Sequence, residues 1–221
     1  MNIRIMRSVL YSILLLSLNA YSQIEVHKEP LHHPVLTNVH VRILDVVAHP
    51  NDTSLVHQHS NNYCYVTIDG GKIWVQNEGE DGRTLELPRG FTGGYFDNPK
   101  QPLVHQFANR SDGLIRLIAT ENLSTGNTRD SVYSLLPHEV LLINNRQFLV
   151  TKISIPPSGQ LDFDAHLNTV MVNPAQTPLP INIQPEQLSD WLWLDAKSRI
   201  SIFNPSGTPS DIVLVRLKNG D

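Results

Sequence analysis

Three histidines carry the clearest chemical signal in this chain. His57 and His59 lie two residues apart in a short apolar run, and His105 lies in a second strand-like run. Residues two apart on a β-strand point to the same face, so both imidazoles can meet one ion. Imidazole is the commonest side-chain ligand of transition metals. The spacing therefore predicts an open metal site built from His57, His59 and His105.

A second interpretation of the same residues remains. The three histidines would then be hydrogen-bonded interior residues of a β-barrel that holds no metal. His32 and His33 lie beside a proline near the N-terminus, and we interpret them as part of a solvated arm. The other histidines are isolated and are interpreted as surface or packing residues.

The elements that must position these histidines are short β-strands. Runs of β-branched and aromatic residues predict strands at residues 41–48, 63–68, 72–76, 103–107 and 114–119. The Asp-Gly-Gly sequence at 69–71 predicts a hairpin turn. Only residues 184–190, which contain a proline near their start, are compatible with a short helical turn. Many short strands separated by turns indicate a sandwich or barrel, so the predicted fold class is all-β.

The chain also contains an internal repeat. When the second half is aligned on the first with a constant shift and no gap, six residues align with identical residues. Leu36, Asn38, Pro50, Leu55, Asn62 and Val66 align with Leu142, Asn144, Pro156, Leu161, Asn168 and Val172. Their conserved order predicts a duplication. In that register, and with Asn109 aligned on Asn204, three further pairs correspond: His57 with Phe163, His59 with Ala165, and His105 with Ile200. The second copy therefore lacks all three candidate ligands.

Residues 51–70 and 105–109 resemble the two motifs of the cupin superfamily. The first motif is a His-x-His pair followed by an acidic ligand and a Gly turn. The second is a His followed after three residues by Asn, here His105 and Asn109. The resemblance implies two double-stranded β-helix barrels of the RmlC-like jelly-roll type in tandem, a bicupin. The implied first domain is 35–122, with the metal motif, and the implied second is 130–218, a degenerate copy. Residues 23–34 would form an N-terminal arm and residues 123–129 a linker.

One position departs from the family pattern. The acidic ligand normally lies four residues after the second histidine of the pair, and Tyr63 stands there. Its parity matches His57 and His59, so it should face the same interior. We interpret Tyr63 as a fourth ligand, a proton relay or a wall of the site. Cys64 has the opposite parity and is predicted to be a buried thiol that points away from the cavity.

Other conspicuous residues are interpreted as structural. Trp191 and Trp193 alternate on one strand face, which is typical of a core or a domain interface. Arg42, Arg89 and Arg116 could hold a carboxylate at a barrel mouth. The preferred interpretation is that each is a solvated charge at a strand edge.

The N-terminal residues and the net charge limit the cellular location and the binding partners of the protein. Residues 1–22 combine two arginines, an apolar run and small residues before Gln23, which is typical of a secretory signal peptide and too short for a membrane anchor. Removal of residues 1–22 would leave an exported protein, periplasmic or extracellular. The net charge of −4 without a basic cluster argues against nucleic acid as a partner.

The predicted function is an exported cupin that binds a divalent transition metal and a small-molecule ligand or substrate. Histidine binds Fe, Mn, Ni, Zn and Cu, so the identity of the metal is left open. Whether the protein is a catalyst and whether it forms a homodimer are also left open. A metal-dependent oxygenase or isomerase would use the open ligand positions, since purely structural sites are usually closed. The alternative is a non-catalytic small-ligand-binding or structural cupin without metal. The missing carboxylate and the degenerate second half favour binding without turnover.

Overall fold

The structure is a computed structural model that describes residues 23–96, 101–124 and 134–218. Within these ranges, one 3-10 turn at Val26–Lys28 is the only helical segment. No helix in this part of the chain is long and apolar enough to cross a membrane. The predicted signal peptide, 1–22, and residues 125–129 of the predicted linker lie outside the described residues. The remaining regular structure is β-strand, so the all-β prediction is confirmed.

The first domain, which we define as described residues 23–96 and 101–124, consists of two five-stranded sheets. Its strands are β1 (Ile24–Glu25), β2 (His32–Thr37), β3 (Val41–Ala48), β4 (His57–His59), β5 (Tyr63–Asp69), β6 (Gly71–Asn77), β7 (Arg83–Leu87), β8 (Thr92–Tyr95), β9 (Leu103–Asn109) and β10 (Ile115–Asn122). The front sheet has the order β1-β4-β9-β6-β7, and the back sheet has the order β2-β3-β10-β5-β8. All five strands predicted for this half are present.

The second domain, residues 134–218, repeats the back sheet and has a more divided front. Its strands are β11 (Glu139–Asn144), β12 (Phe148–Ile155), β13 (Gln160–Asp164), β14 (Thr169–Val172), β15 (Leu179–Pro180), β16 (Gln187–Leu188), β17 (Trp191–Leu194), β18 (Arg199–Phe203) and β19 (Ser210–Leu217). The main sheet has the order β11-β12-β19-β14-β17. Strands β13 and β18 form one two-stranded sheet, and β15 and β16 form another.

The two domains share a core between the back sheet and the main sheet. Strand β3 shows how the sequence produces it, because successive side chains of a strand point to opposite faces. Val41 and Ile43 face the second domain, whereas Leu44 and Val46 face the interior of the first. Cys64 is fully buried in the shared core, as predicted. Trp191 and Trp193 pack against this core, which confirms the packing interpretation.

Two local predictions are wrong. Strands β5 and β6 belong to different sheets, so residues 69–71 form a corner between sheets instead of a hairpin turn. A Cβ atom on Gly70 would lie 2.2 Å from the carbonyl oxygen of Leu87, which explains the glycine. Residues 184–190 contain no helix: β16 pairs with β15, and Leu188 packs in the second-domain core opposite Leu179.

The strand ladders correct the register of the repeat near its start. His32 pairs with Val46 in the first domain, and Glu139 pairs with Ile153 in the second. Strands β2 and β11 also share one burial pattern. His32 therefore corresponds to Glu139, one residue beyond the constant shift, so the ungapped register is wrong for the first two strands of each domain.

Farther along the chain the predicted register is right. His57 pairs with His105 across β4 and β9, and Phe163 pairs with Ile200 across β13 and β18. The side-chain amide of Asn109 donates to the carbonyl oxygens of residues 48 and 113, and Asn204 makes the equivalent bonds to residues 155 and 208. The predicted correspondence of these strands is confirmed.

Candidate metal centre

Four histidines meet between the two sheets of the first domain. His57 and His59 come from β4 and His105 from the neighbouring β9, while His32 reaches in from β2 of the back sheet. Ring nitrogens of His32, His57 and His59 lie within 4.8 Å of one another. The ring centroids of His57 and His105 are 4.5 Å apart. The three ring nitrogens that lie close enough to share one ion are thus those of His32, His57 and His59, and His105 lies beside them against the rings of His57 and His59.

His57 offers an unprotonated nitrogen to the cluster. Its Nδ1 lies 2.8 Å from the carbonyl oxygen of Leu55, which can only accept, so Nδ1 carries the proton. Its Nε2 is buried and has no hydrogen-bond partner in the structure. Burial, followed by the nearby His32, lowers the pKa of His57 to about 4. The imidazole is therefore neutral at pH 7, as a metal ligand must be.

His32 is oriented by a buried carboxylate. Its Nδ1 lies 2.5 Å from Oε2 of Glu29, which is 2% exposed. Glu29 also accepts from the backbone N–H groups of Leu31, at 2.9 Å, and Leu55, at 3.1 Å. Burial raises the pKa of Glu29, but the hydrogen bond from His32 and those from the backbone outweigh it and leave the pKa below its usual value. A carboxylate that holds one nitrogen of a histidine leaves the other for a metal.

The same carboxylate also positions His57, through Leu55. The N–H of Leu55 donates to Glu29, and the carbonyl of Leu55 accepts from His57. Glu29 therefore orients two of the four histidines, one directly and one through a single residue of backbone.

His59 and His105 face each other through their ring nitrogens. Their Nε2 atoms are 3.0 Å apart. Burial lowers the pKa of both imidazoles well below its usual value, and for His59 the neighbouring His105 adds to the effect. Both are therefore neutral at pH 7, and two nitrogens this close can share a proton or an ion.

Tyr63 stacks on the face of His59. The ring centroids are 4.0 Å apart with an interplanar angle of 20°. Burial raises the pKa of Tyr63, so the phenol keeps its proton at neutral pH. Its placement agrees with the predicted parity, and the observed contact is that of a wall against the His59 ring.

The interpretation of His32 as part of a solvated arm is wrong, whereas His33 is exposed. His32 is 6% exposed and belongs to β2, which pairs with β3. Three exposed residues follow it, and one of them is a proline, which hides the alternation that marks a half-buried strand. The signal that could have found His32 is the repeat in its corrected register, where its counterpart Glu139 is also buried.

A cavity of about 210 Å³ adjoins the cluster between the front and back sheets. His32, His59 and His105 line it, and aliphatic and aromatic side chains form most of its wall. Its other polar lining residues are Tyr63, Tyr65, Tyr95, Asn77 and Arg83. None of the described lining residues is Asp or Glu.

The three arginines interpreted as solvated charges form ion pairs instead. Arg42 pairs with Glu121 at 2.8 Å, Arg89 with Asp69 at 3.1 Å, and Arg116 with Asp45 at 2.8 Å and Asp190 at 2.9 Å. The bond to Asp190 crosses from the first domain to the second. None of the three lines the cavity, so a carboxylate-holding role at the barrel mouth does not fall to them.

Comparison with known proteins finds similar solved structures. No family model and no curated protein matches the chain. AerE from Microcystis aeruginosa superposes with a TM-score of 0.59 at 14% identity, covering 86% of this chain and 98% of AerE. The salicylate 1,2-dioxygenase from Pseudaminobacter salicylatoxidans gives a TM-score of 0.58 at 10% identity, covering 80% of this chain and 70% of the enzyme. A cupin 2 conserved barrel domain protein from Leptotrichia buccalis gives 0.56 at 14% identity, covering 88% and 98%.

At these identities the likeness concerns the fold. The strand order, the His-x-His pair on β4 and the third histidine opposite it on β9 agree with the motifs that suggested the family from sequence. The chain therefore has the fold of the cupin superfamily, with two such domains in tandem.

Proposed function

We propose that the first domain binds one divalent transition metal through His57, His59 and His105, with His32 as a further ligand. The buried Nε2 of His57, which has no hydrogen-bond partner, carries this proposal. A buried polar atom left without a partner costs about 1–3 kcal/mol, and a metal bond would remove that cost. Neutral imidazoles suit Zn, Cu, Fe and Ni.

The residues present fit such an ion. A bound metal would supply Lewis acidity or a redox centre beside the cavity. The chain's own residues do the rest: Glu29 orients His32, Leu55 orients His57, and apolar side chains form most of the wall beside the site. Tyr63 keeps its proton and could donate it to a ligand near His59.

A small molecule in the adjoining cavity is the second part of the proposal. A site that only stabilises a fold is usually closed by protein ligands, whereas this cluster borders an open cavity. One structural neighbour is named as a dioxygenase, which supports a metal-dependent oxygenase as the reaction class to test first. Binding without turnover is the alternative, and the lack of a carboxylate among the described lining residues favours it.

Metal content tests the proposal. The protein, purified without chelator, is expected to hold about one transition-metal ion per chain by elemental analysis. His57→Ala and His105→Ala should lose it, whereas His33→Ala, an exposed neighbour of the cluster, should not. Equal metal content in all four proteins would contradict the proposal. Oxygen uptake with phenolic, thiol and keto-acid substrates then distinguishes turnover from binding.

We also propose that the protein is exported. Residues 1–22 support this through their charged start, apolar run and small residues before Gln23. N-terminal sequencing of the native protein should begin near Gln23. An intact segment 1–22 recovered with the membrane fraction would contradict export with signal removal.

A further inference from the structure

We infer that the first-domain cavity takes a small organic carboxylate with a single-ring or similarly compact apolar body, and that Arg83 holds its carboxylate. The inference rests on the proposed function only for the metal, which would add a second positive charge. It names the class of ligand and a residue that selects it.

The charge of the cavity lining has one sign. The histidines that line it are buried among one another, and the tyrosines and Asn77 are neutral. Among the described residues that line the cavity, Arg83 alone carries a full charge, and none of them is a carboxylate that could oppose it. A cationic group at the mouth of an apolar cavity favours an anion over a neutral molecule of the same shape.

The strand ladder directs Arg83 into the cavity. Arg83 pairs with Val75 on β6, and Val75 pairs with Phe107 on β9. Residues that pair directly across a sheet share a face, and both Val75 and Phe107 line the cavity. Arg83 therefore lies on the inward face of the edge strand β7, although its side chain is exposed at the mouth.

Arg83 is also uncommitted to another residue. Arg42, Arg89 and Arg116 each bind a carboxylate of the chain. Among the described residues, Arg83 forms no ion pair of this kind. A guanidinium presents a planar pair of donors that matches a carboxylate, and this one faces a space where a ligand can enter.

The walls and the volume limit the body of the ligand. Aliphatic and aromatic side chains from both sheets form the walls, among them Val46, Leu85, Leu103, Phe107 and Leu117. A cavity of about 150 Å³ accommodates benzene, so the 210 Å³ found here is sufficient for one ring with a carboxylate. Strand β7 lies two strands from β9, or about 10 Å across the sheet. One compact ligand can thus approach both Arg83 and the histidine cluster.

Calorimetric titration with matched probes tests the inference. Full-length mature protein is titrated with benzoate, with benzamide as the neutral probe of the same shape, and with 2-naphthoate as the larger anion. Benzoate is expected to bind at least tenfold more tightly than benzamide, and 2-naphthoate more weakly than benzoate. Arg83→Gln should abolish the preference for benzoate and leave benzamide binding unchanged, while Arg83→Lys retains part of it. Arg110→Gln, an exposed arginine of the same domain outside the lining, should behave as the unaltered protein.

The outcomes separate this inference from the metal proposal. Equal affinity for benzoate and benzamide, an unchanged preference in Arg83→Gln, or no benzoate binding at millimolar concentration would overturn the inference, even in protein that holds its metal. Conversely, a protein that holds no metal but still prefers benzoate through Arg83 would support the inference while contradicting the metal proposal. Titrations before and after chelation, with metal content measured on the same sample, distinguish these cases.

Discussion

The two domains place different side chains on equivalent strand pairs. In the first, His57 lies opposite His105, and in the second, Phe163 lies opposite Ile200. The interior of the second is filled by an apolar core that includes Phe163 and Ile200, whereas the first keeps a cavity beside its histidines. The same pattern of strand pairing is thus compatible with an apolar core or with a cavity beside histidines. The side chains at a few inward-facing positions determine which of the two forms.

The second domain contains an internal ion pair near the counterparts of two histidines. Glu139 stands where the first domain has His32, and its carboxylate accepts from Arg216 at 2.7 Å. The Arg216 guanidinium also donates to Thr151 at 2.7 Å and lies 5.4 Å from the centre of the Phe163 ring, the counterpart of His57. Burial raises the pKa of Glu139, but its hydrogen bonds and Arg216 outweigh this and lower it overall. The second domain therefore holds a cation of its own, whereas we propose that the first acquires one.

The largest effect is expected from removing that internal cation. Arg216→Met leaves the buried Glu139 carboxylate without its arginine, and breaking a buried pair in this way costs about 3–5 kcal/mol. Urea denaturation should show this loss, and the double variant Glu139→Leu/Arg216→Met should recover most of it. A single variant as stable as the original protein would show that the ion pair does not support the second interior.

The next largest effect concerns His32, which the second domain replaces by Glu139. His32→Ala is expected to weaken metal binding about a hundredfold, at the upper end of the losses seen around metal sites. Metal titration with competing chelator measures it. His33→Ala changes the adjacent exposed histidine and should leave the affinity as it was. Unaltered affinity in His32→Ala would restrict the ligand set to the three histidines on β4 and β9.

The four clustered histidines show how much of the site can be predicted from the sequence. Parity predicts that His57 and His59 share a face of β4, because strand periodicity is local, and the structure pairs His57 with His105 on β9. The role of these three residues as ligands stays a prediction. The sequence does not indicate His32 because its contacts depend on the pairing of β2 with β3. The three exposed residues that follow it hide the alternation that would mark β2 as a half-buried strand. The arginine ion pairs were missed for a related reason: Arg42 and Glu121 are 79 residues apart, and only the folded sheet brings them together.

The corner at Gly70 illustrates a different limit. A Gly-containing turn has the same local preferences whether the chain returns in the same sheet or crosses to another. The choice is made by tertiary contacts, here the approach of the Leu87 carbonyl to Gly70. The sequence predicted that a turn occurs, and the packing of two sheets determines its kind.

Acid should distinguish the two interiors in metal-free protein. Unfolded His57 takes up a proton near pH 6.5, whereas burial holds its folded pKa at about 4. The unfolded state therefore binds more protons between these values, so stability falls as the pH decreases from 6.5 to 4. The loss from His57 is about 2 kcal/mol at pH 5, and His59 and His105 act in the same direction.

Urea denaturation at pH 7 and pH 5 in the presence of chelator measures this loss. His57→Phe introduces the residue that the second domain has at the equivalent position, and it should reduce the difference between the two pH values. The same pH dependence in both proteins would mean that His57 is not held neutral by burial.

The smallest of these effects is expected at Glu29. Glu29→Gln removes the charge that holds His32 but keeps an acceptor, so metal affinity should fall about tenfold, the lower end for partners of metal-bound histidines. The absorption spectrum of the Co²⁺-substituted protein should shift as well, because the ligand geometry changes. Glu86→Gln, on the exposed side of β7, is the matched control. A Glu29→Gln protein with unchanged affinity and spectrum would show that Glu29 does not position the cluster.

The contrast between the domains is tested most directly by anomalous X-ray diffraction at the absorption edge of the metal that the purified protein carries. One strong peak is expected in the first domain, with ring nitrogens of His32, His57, His59 and His105 about 2.0–2.1 Å away, and none is expected beside Phe163 and Arg216. A peak in the second domain, or crystals grown with transition metal in which the histidine cluster shows no peak, would contradict it.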